Sequence, residues 1–130
     1  MARQVFSPDP SGDPSGFSPA AGVGGTVFVS GQVALDGAGN LVGEGDCGAQ
    51  AEQCIRNIGA ALGAAGAAWD DVVKLTTFLV DASHYQAYAD ARLRMFPAGG
   101  PASSTVIVAA LVRPEFLIEI EAVAIVADRA

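Results

Sequence analysis

The apolar positions change period several times along the chain, and each change marks an element. Residues 26–29 are β-branched or aromatic and predict a strand. Ser30-Gly31-Gln32 interrupts the run, 33–35 resumes it, and the turn-rich segment 36–40 leads to a short apolar pair, Leu41-Val42. This pattern predicts a hairpin with a kink or bulge at Gly31. Asp46 is placed to cap a helix whose residues Ala51, Cys54, Ile55, Ile58, Ala61, Leu62 and Ala65 recur at spacings of three and four, with Gly66 as its stop. Residues 72–80 are apolar on both faces, which predicts a strand central in its sheet. Ser83 and Gln86 read as a capping box for a second helix, with Tyr85, Tyr88, Ala89, Leu93 and Phe96 on one face up to Pro97. Strands over 104–112 and 116–126, parted by the turn Arg113-Pro114-Glu115, complete the order ββαβαββ. The expected class is α+β, with both helices on one face of a mixed sheet.

Ahead of this pattern, residues 7–25 hold Pro8, Pro10, Pro14, Pro19 and glycines 12, 16, 22, 24 and 25, which predicts a loop without regular structure. With 130 residues, 51% of them hydrophobic, the expectation for 1–130 is a single domain. Charged residues make up 16% of the chain, below the roughly 25% of an average soluble domain. Two helices cover one sheet face; the other is expected to be covered by further copies of the chain.

Acidic residues outnumber basic ones 14 to 7, a net charge of -7 that repels phosphate backbones and anionic lipid. Nucleic acid and membrane are therefore not expected partners. The apolar runs are shorter than the roughly 20 residues of a membrane span, and no basic segment precedes an apolar one at the N-terminus, so a cytoplasmic protein is expected. Cys47 and Cys54 sit seven apart on the first helix, about 10 Å along its axis, too far for a disulfide; they read as reduced, partly buried residues. No His, Cys or carboxylate cluster has metal-ligand spacing, and no glycine motif precedes a helix to cradle phosphate.

Four segments together resemble one family: 26–33 (TVFVSGQV), 53–58 (QCIRNI), 65–74 (AGAAWDDVVK) and 118–124 (IEIEAVA). In order and spacing they are similar to the Rid (YjgF) superfamily, over about residues 16–126. The resemblance implies a chorismate-mutase-like fold and a homotrimer whose sheets form a barrel. It also implies small-molecule ligands in clefts between subunits, without metal or organic cofactor. In the deaminating branch an enamine or imine is hydrolysed to a 2-keto acid and ammonia.

Such hydrolysis needs a placed water, a group to manage its protons and an anchor for the substrate. The family's water-positioning carboxylate falls on Glu119, while Glu121 reads as structural or interfacial. The anchoring arginine belongs to a Pro-Ala-Arg-Ser motif, and this chain reads Pro101-Ala102-Ser103-Ser104. Ser103 has no charge to grip a carboxylate. Thr105 stands where the deaminating branch often has cysteine, and it keeps one hydroxyl for the site. Phe17 replaces the ligand-facing tyrosine, Ala89 replaces a common asparagine, and Ser30 and Gly31 retain the Ser-Gly-Gln motif. For Arg92, Arg94, Arg113 and His84 the expectation is exposure to solvent.

The expected function is hydrolysis of an imine, enamine or related molecule less anionic than the usual substrate. Glu119 and Thr105 are the candidate catalytic groups, with Phe17, Ser30, Gly31, Ala89 and Ser103 around the ligand. The alternative is a non-catalytic binding or scaffolding trimer. Ribonuclease activity, attached to some relatives, is disfavoured by the net charge.

Overall fold

A computed structural model describes residues 2–9, 11 and 15–127. Pro10, Gly12 and Pro14 of the expected loop lie outside them. The elements are β1 (Gln4–Phe6), β2 (Ala20–Val23), β3 (Thr26–Gln32), α1 (Cys47–Ala64), β4 (Val72–Leu79), α2 (Tyr85–Met95), β5 (Ala102–Ile107) and β6 (Ile118–Ile125). They form one six-stranded sheet in the order β1-β2-β3-β6-β4-β5. β4 and β5 are parallel and the other neighbours antiparallel. The crossover through α1 skips a place, later filled by β6, whereas the one through α2 lands on the adjacent position. The sheet is thus mixed, with two helices packed on it, as the pattern predicted.

Two strands arise where none was expected. β2 lies inside the segment read as loop, and β1 pairs with it at the sheet edge. Ala20-Ala21-Gly22-Val23 has little strand propensity of its own. Its extended form comes from pairing with β3, reached by a turn at Gly24, whose φ of 59° lies in the left-handed region. Conversely, the second arm of the expected hairpin shrinks to a single bridge between Leu35 and Leu41. There the helix competes for the backbone: Asn57 Nδ2 donates to Val33 O (3.0 Å) and Leu35 O (2.8 Å).

α1 follows the predicted stripe, with Ala51, Cys54, Ile58, Ala61 and Leu62 buried, and the Asp46 carboxylate accepts from Ala49 N. Gly66 ends the turn beyond it at φ 74°. α2 departs from its predicted start. Asp81 caps a single 3₁₀ turn by accepting from Ser83 N (2.8 Å), and Gln86 bonds to Asp90, so the Ser83 box does not form. Tyr88 and Ala91 make its buried face, while Tyr85 and Leu93 are exposed. β5 ends at Ile107, five residues short of the expected strand, because its partner β4 ends at Leu79 and Val108 N makes the last bond, to Leu79 O.

Alternation divides the sheet residues between two faces. Toward the helices point Val27, Val29, Leu75, Leu79, Ile118, Ile120, Ala122 and Ala124, all buried. The Thr77 hydroxyl is buried among them and donates to Tyr88 Oη at 2.7 Å. Thr77→Val strands that phenol in the core, so a loss of about 1–3 kcal/mol is expected in denaturant unfolding, largely restored by Thr77→Val with Tyr88→Phe. The opposite face carries Phe28, Thr76, Phe78, Glu119, Glu121, Val123 and Ile125. Phe28 and Ile125 are 56% and 51% exposed there. Both cysteines are free and buried, and burial, with Asp46 nearby, pushes the Cys47 thiol up to about 11.

Candidate functional site

β3 carries a register shift between Val29 and Gln32, which is the expected bulge around Gly31. Glu119 rises from β6 directly against it. A Cβ on Gly31 would stand 2.8 Å from Glu119 Cδ and 3.1 Å from Cγ, so the missing side chain is what gives the carboxylate its place. Glu119 is half-buried, and its pKa is raised above the usual carboxylate value by burial first and by the neighbouring Glu121 second. A carboxylate so placed has reduced preference for its charged form and is a better proton acceptor than a free glutamate once ionised.

Ser30 ties the preceding chain to this bulge. Its hydroxyl donates to Ser18 O at 2.6 Å and its amide to Pro19 O at 2.9 Å, so its proton is engaged within the chain. The tie brings Phe17, 61% exposed, to the mouth of two hollows. One, of about 380 Å³, runs past Gly31, Gln32 and Val33 to Asn57 on α1. The other, of about 300 Å³, runs past Ser18 and Ser30 to Arg3. Neither Asn57 nor Arg3 is among the candidates that the sequence offers. The sequence signal for Asn57 is an amide near the apolar stripe of α1; Arg3 carries none, because the three-residue β1 beside it has no pattern of its own.

Within one protomer the sheet gathers Phe17, Ser30, Gly31 and Glu119, and leaves the other three candidates elsewhere. Ser103 and Thr105 lie in register with Leu75 and Thr77, on the helix side of the edge strand β5, opposite the face of Glu119. Ala89 is half-buried on α2. The three arginines Arg92, Arg94 and Arg113 have partners. Arg92 lies over the rings of Tyr88 (5.0 Å) and Tyr85 (5.7 Å) and is half-buried, contrary to the expected solvated charge. Arg94 pairs with Glu52 (2.6 Å) and Arg113 with Glu115 (3.3 Å). His84, expected in solvent, is partly covered. Among the described residues no three His, Cys, Asp or Glu gather as metal ligands, and no helix is long and apolar enough to cross a membrane.

A mixed sheet backed by two helices, with a bulge-seated glutamate on its open face, defines an α+β protein of the chorismate-mutase-like type. The family model described as Endoribonuclease L-PSP matches residues 11–126. A RutC family protein of Synechocystis is 39% identical over 111 residues, covering 84% of this chain and 85% of that one. A RutC family protein of Pyrococcus abyssi is 35% identical over 125 residues, covering 95% and 98%. The crystal structure of RidA from an Antarctic Psychrobacter superposes with a TM-score of 0.83 at 32% identity, covering 95% and 99%. The chain belongs to the Rid (YjgF) superfamily.

Proposed function

We propose that this protein hydrolytically deaminates an imine or enamine that lacks a carboxylate beside the reacting carbon, in a cleft completed by a second copy of the chain. The observation that carries the reading is Glu119 seated against Gly31, half-buried and with a raised pKa. In that setting an ionised Glu119 holds water by hydrogen bond and takes its proton as the oxygen attacks the imine carbon. Collapse of the resulting carbinolamine expels ammonia and leaves a carbonyl product. Phe17 supplies an apolar wall, and the backbone at Gly31 is open to a ligand.

The shared cleft is supported by the placement of Ser103 and Thr105 on the face opposite Glu119: one protomer's β5 edge and another's β3–β6 face must meet for all of these residues to touch one ligand. Exposed Phe28 and Ile125 on the open sheet face support the same assembly, a homotrimer. Ser103 and Thr105 then line the far wall beside Ala89, with hydroxyls and no cation.

The test is a rate comparison on imines generated in solution. The wild-type chain is expected to hydrolyse 2-aminoacrylate poorly compared with a carboxylate-free imine. Ser103→Arg is expected to raise its efficiency on 2-aminoacrylate by about ten- to a hundredfold, the worth of a charge-assisted contact. Rapid wild-type hydrolysis of 2-aminoacrylate contradicts the reading. A binding trimer without turnover is the second reading, favoured by the Ser30 hydroxyl, whose proton is engaged with Ser18 O.

A further inference from the structure

Position 103, on the helix side of one edge strand, lacks a cation, yet the open face presents one beside the strand at the other edge of the sheet. Arg3 continues the alternation of Val5, which pairs with Ala21 and through it with Phe28, so Arg3 rises from the same face as Glu119 and Glu121. It lines the hollow of about 300 Å³ together with Phe17, Ser18, Ala21 and Ser30. Among the described residues the ion pairs are those of Arg94 and Arg113, so no carboxylate of these residues neutralises Arg3. The other cation on this face, Lys74, is engaged with Ser104 Oγ at 2.7 Å. In a chain of net charge -7, a guanidinium with no ion pair among the described residues, beside an aromatic ring and apolar strand residues, is unusual surface.

A planar guanidinium takes a carboxylate through two parallel hydrogen bonds, and a ring beside it accommodates an apolar body. We propose that this hollow is a second subsite, in which Arg3 binds the acid group of a ligand whose apolar body lies on Phe17. The inference rests on the reading of Glu119 as the reacting end. Phe17 borders both hollows, and Gly31, against which Glu119 is seated, lines the larger one, so a molecule lying across Phe17 brings one end beside Gly31 with its carboxylate several bonds away in the other. The substrate class is then an imine or enamine with a remote carboxylate, which satisfies both the absent cation at 103 and the present one at 3.

Binding of 3-phenylpropionate and of its uncharged amide, measured by titration calorimetry at low salt, tests this without turnover. The wild-type chain is expected to bind the acid at least about tenfold more tightly than the amide. Arg3→Gln is expected to remove that preference with an unchanged melting temperature, and Arg3→Lys to keep part of it. Equal binding of acid and amide, no saturable binding of either, or a preference that survives Arg3→Gln overturns the proposal. Glu119→Gln is expected to keep the preference. If the preference holds while turnover proves independent of Glu119, the subsite stands and the hydrolytic reading alone falls.

Discussion

Glu119→Gln is expected to lower kcat on a hydrolysed imine by about 10²- to 10⁴-fold, the usual contribution of a positioned general base, with little change in KM. The amide preserves the size that Gly31 accommodates, so the loss reports the missing base and not a collapsed bulge. The wild-type rate should rise with pH as Glu119 ionises. Burial and Glu121 both raise its pKa, so the limb lies above the ordinary carboxylate value of 4.5. Glu121→Gln removes the smaller cause and should move the limb part of the way down. Turnover unaffected by Glu119→Gln would leave a binding protein in place of an enzyme.

Gln50→Leu is expected to be the most destabilising single change away from the site, by roughly 3 kcal/mol or more in denaturant unfolding. Gln50 is fully buried in α1, and its amide donates to Gly43 O (3.1 Å) and Glu115 O (3.0 Å) while its carbonyl accepts from Leu117 N (2.9 Å). One side chain thereby joins the loop before α1 to the segment that delivers β6. Leucine fills a similar volume and leaves Glu115 O and Leu117 N without these partners, while Gly43 O keeps its bond from Asp46 N. Because β6 occupies the gap between β3 and β4, loosening its entry weakens the middle of the sheet. An unfolding midpoint close to wild type would show that water satisfies those groups at no cost.

What was legible from sequence divides along local and non-local lines. The period of α1, its Asp46 cap, the apolar β4 and the bulge at Gly31 are set by neighbours within a few residues, and all are found. β2 is set by pairing with β3, which composition does not encode, and so was read as loop. The α2 face was misassigned because its apolar residues fit two stripes; burial under Arg92 and against Thr77 selects Tyr88. At the candidate site, motif resemblance supplied Phe17, Ser30, Gly31 and Glu119 as a group, and the sheet gathers them. It gave no sign that Ser103 and Thr105 lie on the other face, since that depends on strand register. Arg3 depends on β1, an element with three residues and no pattern of its own.

The two sulfhydryls carry a practical consequence. Cys54 lies 3.9 Å from a main-chain oxygen in the interior, and burial raises both thiols above their ordinary value, so neither is a ready nucleophile at neutral pH. Thr105 adds none at the position where relatives of the deaminating branch often carry one. A cysteine introduced on the outer side of α2, for instance at Leu93, would therefore accept a maleimide dye or spin label against a nearly silent background, without first deleting the native pair.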